Sequence, residues 1–204
     1  MIIKPFETEE EWLDARKGKI MGSRAGNLFL KTGKGKKVGF YEIIAEKISL
    51  PATGENPMDR GHRLEPEAIK IFEQETKKVV DSSLVMWVRE DMPDIGVSPD
   101  GFILNDGEVT EAVEVKCLAS ARHVEALLKE EIPDEYEAQV IQYFLVNDKL
   151  KTLYFCFYDP RLIVKQFFYI TVTRAEIEME IQKQLEEQIQ TIDEINKIVS
   201  SLTF

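Results

Sequence analysis

The stretch from Ser98-Pro99-Asp100-Gly101 to Val113-Glu114-Val115-Lys116 constrains this chain more than any other. It sets an acid at the end of a bend, then places a Glu-x-Lys pair inside an apolar strand. Ile103 and Leu104 run into a turn at Asn105-Asp106-Gly107, and Ala112 to Lys116 alternates as a half-buried strand does. With a period of two, Glu114 and Lys116 point to one face and Val113 and Val115 to the other. If the two segments pair as a hairpin, Asp100 approaches the Glu114 face. Two carboxylates and an ammonium then meet between hydrophobic strands. Isolated charges are costly there, so the cluster requires either mutual pairing or a cation. Two anionic donors with open positions suit Mg²⁺, which takes one or two carboxylates and keeps water or phosphate for the rest. The expectation is a metal-dependent phosphodiester hydrolase; the competing reading is a solvated strand edge.

The flanking sequence reads as one α/β domain over residues 1–204, with a central mixed sheet flanked by helices. Thr8-x-x-Glu11 is a capping box that opens a short helix carrying Trp12, Leu13 and Arg16. Ser23 is placed as an N-cap for a helix over 23–31. Lys31, Lys34, Lys36 and Lys37 form a basic loop without the spacing of a nucleotide-binding loop. Helices are expected over 39–49 and 56–77, the second with Leu64, Ala68, Ile69 and Phe72 on its apolar side. Strands are expected over 79–90, 101–104, 112–117, 152–158 and 166–171, and helices over 121–129 and 134–146. Ile177, Ile181, Leu185, Ile189, Ile192, Ile195 and Val199 form the stripe of a long C-terminal helix that closes the core.

Composition narrows the function classes. No apolar run reaches membrane-spanning length, and Met1 to Pro5 carries no signal-peptide core. Cys117 and Cys156 lack C-x-x-C spacing and read as buried free thiols in a reducing cytoplasm, which also argues against an iron–sulfur nuclease. His62 and His123 have no second ligand nearby, so zinc is not expected, and both are read as surface or phosphate-contacting side chains. The formal charge of −11 looks unfavourable for a DNA-binding protein, yet phosphate binding depends on the local face rather than the total. Basic residues gather at Arg16 to Arg24, in the lysine loop and at Arg60-Arg63, while acidic residues dominate the C-terminal third.

Asp100 with Glu114-Val115-Lys116 has the form of the PD-(D/E)XK nuclease motif, and the surrounding order resembles the YqaJ-like viral recombinase family, to which phage lambda exonuclease belongs. Trp12, Arg16 and Ser23 resemble that family's opening motif, and Gly61-His62-Arg63-Leu64-Glu65 its acidic helix. Arg122 after the core, then Tyr136, Ala138, Gln139 and Gln142-Tyr143, resemble the following elements, and Tyr158-Asp159-Pro160-Arg161 a late loop. The resemblance implies a restriction-endonuclease-like fold. It implies that Asp100 and Glu114, with the Val115 main-chain carbonyl and support from Glu65, hold two Mg²⁺ ions, for which Mn²⁺ substitutes. Lys116 would then release a proton or orient the attacking water. Gln139 and Tyr136 share a helix face and reach either the site or the DNA, Tyr136 having core packing as its alternative. Arg16 and Ser23, beside Trp12, would hold a terminal 5′-phosphate, as a guanidinium fork and a helix-start hydroxyl can. Arg122 would touch nucleic acid near the cleaved bond, Lys34 and Lys36 would add phosphate contacts, and Met58 is either an apolar wedge or a core residue.

The implied activity is a 5′→3′ double-stranded DNA exonuclease that leaves 3′ single strands for phage-type recombination. Its implied partners are duplex DNA ends, two further copies in a homotrimeric ring and a single-strand annealing protein, in a bacterial cytoplasm with no membrane role. The alternatives are a catalytically silent DNA-end binding module and a restriction-type endonuclease.

Overall fold

The computed structural model describes residues 1–28, 40, 43, 59–118, 120–160, 162 and 165–202, side chains at 59–61, 120 and 121 excepted. Along them run β1 (Ile2–Pro5), α1 (Glu9–Ala15), β2 (Ile20–Met21), α2 (Gly22–Ala25), α3 (Asp59–Thr76), β3 (Val85–Val88), β4 (Ile95–Val97), β5 (Gly101–Asn105), β6 (Glu108–Lys116), α4 (Ser120–Lys129), α5 (Glu137–Val146), β7 (Thr152–Tyr158), β8 (Phe167–Thr173) and α6 (Glu178–Leu202). Short 3₁₀ turns, Asp134–Tyr136 and Arg174–Glu176, lead into α5 and α6. The lysine loop with Lys34 and Lys36, most of the helix expected over 39–49, Met58 and Arg161 lie outside the described residues.

The expected hairpin forms. β5 and β6 pair antiparallel around a turn in which Asp106 and Gly107 both take positive φ, the signature of a tight hairpin turn. β6 then lies parallel to β7, reached through the crossover of α4 and α5, and β8 returns antiparallel at the edge. The expected single central sheet is instead two four-stranded mixed sheets, ordered β1-β3-β4-β2 and β5-β6-β7-β8. Between β4 and β5 stands Ser98-Pro99, and a proline has no amide to donate to a ladder, so the chain turns out of one sheet and into the other. The pairing expected over 79–90 likewise shortens to β3 and an isolated bridge between Asp81 and Phe102.

Each face of the second sheet has its own cover. Leu64, Ala68, Ile69 and Phe72 of α3 pack on Val113, Val115, Cys156 and Tyr158. Ala112, Leu153, Phe155 and Phe157 face the opposite way, under Tyr143 and Phe144 of α5 and Ile181, Ile192 and Ile195 of α6. Helix α6 therefore closes the core as its stripe predicts. Its contact also includes polar side chains: buried Gln142 is bonded to Gln184 and Gln188 and donates to the carbonyls of Ile20 and Gly96. One network thus ties α5 to α6 and to both strands of the first sheet's parallel edge.

Four local expectations are corrected. Ser23 is not an N-cap: α2 begins at Gly22, Met21 holds the cap position, and no side chain caps it. His123 is fully buried rather than on the surface, its Nε2 2.9 Å from the Lys165 carbonyl oxygen and its ring edge-on to Phe168. Cys156 is buried but Cys117 is only half-buried, and the two form no disulfide. The Thr8 box forms in displaced form: Thr8 accepts from the Glu11 amide at 3.2 Å, while the Glu11 carboxylate accepts from Glu7 rather than Thr8.

Candidate active site

The register of the hairpin builds the site. Gly101 lies opposite Val113, so one residue further along the same register Asp100 lies opposite Glu114. The Asp100 carboxylate accepts the Val115 amide at 2.7 Å, which holds it across the end of β6. A side chain at Gly101 would meet Val80 Cγ1 at 2.4 Å, so any other residue after the acid would have to displace Val80. On β6, Glu114 and Lys116 share a face and bond directly, Nζ to Oε1, at 2.6 Å. Helix α5 supplies the roof. Gln139 donates to Glu114 Oε1 at 2.6 Å, and the Tyr143 hydroxyl donates to Oε2. Glu114 is buried and Lys116 only partly so, which leaves the mouth of the site at Lys116.

Electrostatics distinguish this cluster from an ordinary salt bridge. Burial first, then Glu114 and Glu65, pushes the Asp100 carboxyl well above the usual carboxylate range. Burial and Glu114 raise Glu65 to about 7, against Lys116, so α3 brings a third acid into the same field. Burial acts to lower the Lys116 ammonium, but Glu114 and Asp100 outweigh it and its pKa rises. Three carboxylates thus share one ammonium, and such a group is relieved by an added cation. Among the described residues no three His, Cys, Asp or Glu side chains converge into an ion cage. Asp100, Glu114 and the Val115 carbonyl would make an open donor set, with Glu65 acting from further out. That chemistry fits Mg²⁺, which retains waters, better than a metal needing an all-protein cage.

The expected phosphate residues also come together. Arg16 lies over the Trp12 ring, 4.1 Å from its centroid, and reaches Ser23 Oγ at 3.4 Å. Trp12 is itself fixed by its indole N–H on the Val85 carbonyl. Burial and neighbouring Arg24 pull the Arg16 pKa down, while Glu114 and Asp100 act to raise it, so this pocket adjoins the carboxylate cluster. Close approach of α2 to α5 explains the adjacency: a side chain at Gly22 would meet Val97 Cγ2 at 3.1 Å and Gln139 Cγ at 3.2 Å. His62 adds an edge to Trp12 and pairs with Glu9.

The remaining expected residues divide. Tyr136 does both things open to it, packing on Phe155 while its ring lies 5.0 Å from Lys116 Nζ. Arg122 stands at the rim on α4, exposed and ion-paired with Glu125 at 2.5 Å and with Glu135. Glu67 hydrogen-bonds Tyr158 and has no part in the cluster, whereas Glu65 does. The sequence reading missed Tyr143 as a site residue. The signal was present, because a residue four beyond Gln139 shares its helix face.

Comparison with known proteins gives the family and the fold. The profile of the YqaJ-like viral recombinase domain matches residues 11–150. The chain is similar to the crystal structure of an alkaline exonuclease, LHK-Exo, from Laribacter hongkongensis, at 25% identity and a TM-score of 0.79 over 95% of each chain. A second structure of LHK-Exo, in complex with dAMP, gives 24% identity and a TM-score of 0.77 over the same shares. A phage-related exonuclease from Haemophilus somnus 129PT shares the fold at 13% identity and a TM-score of 0.62, over 91% of this chain and 96% of that one. Comparison with curated proteins gives no match. The matched span includes Glu65, Asp100, Glu114, Lys116 and Gln139 together with Trp12, Arg16 and Ser23, and the chain belongs to the YqaJ-like viral recombinase domain family.

Proposed function

We propose that this protein is a Mg²⁺-dependent exonuclease that digests the 5′-ended strand of duplex DNA and leaves 3′ single strands for phage-type recombination. The observation that carries the reading is the convergence of Asp100, Glu114, Lys116 and Gln139 at one end of β6 in a chain of this family. Two Mg²⁺ ions, or Mn²⁺ in their place, would supply Lewis-acid activation of water and relief of charge on the leaving oxygen. Asp100, Glu114 and the Val115 carbonyl would hold them, with Glu65 completing the charge balance. Gln139 keeps Glu114 in place by its hydrogen bond. Lys116 is tethered to Glu114 and sits under the Tyr136 ring at the mouth of the site, where an attacking water must pass. With bound Mg²⁺ offsetting the carboxylate field, it would either release its own proton and so act as the base for that water, or orient the water.

Arg16, stacked on Trp12 and beside Ser23, is the receptor for the terminal 5′-phosphate. A phosphate carries extra charge only at an end, so this pocket distinguishes an end from internal backbone. Arg122 at the rim adds a backbone contact once DNA displaces its acidic partners. Duplex ends are the substrate, a homotrimer the assembly and a single-strand annealing protein the recombination partner. The place of action is the bacterial cytoplasm; among the described residues no helix is long and apolar enough to cross a membrane. The deciding experiment compares linear and closed-circular duplex with Mg²⁺ and with chelator. Loss of the linear substrate alone, from 5′-phosphorylated ends and only with metal, is expected. Cutting of the circle would make the protein an endonuclease, and binding of ends without cutting would make it a silent module.

A further inference from the structure

Resting on the metal-dependent reading above, we propose that Tyr143 is a positioning residue whose hydroxyl decides which oxygen of Glu114 receives the cation. An ionised carboxylate offers two lone-pair directions on each oxygen. At Glu114, Lys116 Nζ and Gln139 Nε2 both donate to Oε1, each at 2.6 Å, and Tyr143 donates to Oε2. These donors fill Oε1 and leave one direction on Oε2, so the cation enters on Oε2 beside the tyrosine hydroxyl.

That hydroxyl is held firmly. Tyr143 is fully buried on α5, and Trp87 packs edge-to-face on its ring with centroids 5.9 Å apart. The terminal torsion of a glutamate is broad, so donors on Oε1 alone would let Oε2 swing. Tyr143 removes that freedom. Hydrogen-bond partners of metal-ligating groups are worth about 10–100-fold in metal affinity or activity when lost.

Tyr143→Phe keeps the ring and deletes the hydroxyl. Calorimetric titration with Mn²⁺ in the absence of DNA should show binding about tenfold weaker than wild type. The Mg²⁺ concentration for half-maximal cleavage should rise in parallel while KM for DNA holds. Tyr154→Phe is the matched control, since it deletes a hydroxyl that donates to Glu111 at 2.7 Å on the other face of β6, and its Mn²⁺ binding should equal wild type. A wild-type protein that neither binds Mn²⁺ nor cleaves overturns the functional reading and this inference with it. A wild type that binds, with Tyr143→Phe binding as tightly or more so, overturns this inference alone. Should Tyr143→Phe fail to fold, wild-type protein labelled at tyrosine ¹³Cζ decides the question. Mg²⁺ should shift Tyr143 and leave Tyr158, bonded to Glu67, in place; absence of a Tyr143 shift would overturn it.

Discussion

Glu111 and Glu114 stand three residues apart on one strand and point to opposite faces of the same sheet, yet they are opposites in chemistry. Glu111 is balanced. It pairs with Lys78 at 2.7 Å and accepts from Tyr154 at 2.7 Å and Asn105 at 3.0 Å. Burial acts to raise its pKa, but these partners prevail and hold the carboxyl below its ordinary value. Glu114 also has three donors, but it is buried deeper and faces two further acids, whose pKa values are driven up. The number of hydrogen bonds does not separate a structural carboxylate from a functional one. The local charge count does: one acid to one cation at Glu111, but three acids around Glu114 against one bonded ammonium, Lys116, with the Arg16 guanidinium only adjoining.

The sharpest way to break this comparison is to neutralise one acid on each face. Asp100→Asn or Glu114→Gln should abolish cleavage and weaken Mn²⁺ binding in a calorimetric titration, while Glu111→Gln should leave both unchanged. Equal turnover in Glu114→Gln and Glu111→Gln would show that the charge imbalance has no catalytic meaning.

Next in size is the single ammonium of the acidic cluster. Lys116→Ala should lower turnover by about 10²-fold or more, as for loss of a positioned proton-transfer or electrostatic group, with little change in DNA-end affinity measured in Ca²⁺. Lys116→Arg refines the result, because arginine keeps the charge but does not give up its proton. Retained activity assigns Lys116 to orienting water, and lost activity to proton transfer. A Lys116→Ala protein that cannot bind ends but turns over normally at saturating DNA would contradict both roles.

A smaller effect is expected at Arg16, which adjoins the cluster without bonding to it. Arg16→Ala should slow digestion of 5′-phosphorylated duplex by roughly ten- to a hundred-fold, the equivalent of one charge-assisted contact of about 1.5–3 kcal/mol. The 5′-hydroxyl duplex should lose far less. Both substrates must be compared at one salt concentration, since backbone contacts weaken as salt rises. An equal loss on both would reduce Arg16 to an ordinary backbone contact.

The smallest effect belongs to the balanced face and is one of stability. Because the Glu111 carboxyl is depressed in the fold, its contribution is present above the ordinary carboxylate range and is lost as pH falls through its folded value. Lys78 is raised and stays charged throughout that window. Glu111→Gln should therefore cost about 1 kcal/mol near neutral pH, a drop of roughly 2–4 °C in Tm, and the gap from wild type should close on acidification. A gap that persists undiminished at about pH 3 would mean that shape rather than charge holds this cluster.

Much of the site was legible from spacing alone. A strand's period of two puts Glu114 and Lys116 on one face, a helix puts Tyr136 and Gln139 on another, and a hairpin brings Asp100 to them. These relations are local, so sequence carries them. The type and order of the later helices and strands followed for the same reason, and Thr152–Tyr158 forms where its pattern placed it. The division into two sheets did not follow, because it depends on where the chain leaves a ladder at Pro99. Nor did the burial of His123, which a carbonyl forty-two residues away in the chain accepts or faces.

What sequence by itself determined, then, is the set of reactive groups and the faces that carry them, since both depend on covalent spacing. Only the tertiary structure decided how they are charged and aimed. Glu65 reaches the field of Glu114 across α3, Tyr143 descends from α5, and Arg16 is brought alongside because Gly22 lets two helices nearly touch. Each of these is a contact between segments far apart in the chain, and burial, which drives the pKa shifts of Asp100, Glu65 and Arg16, exists only once those segments have packed.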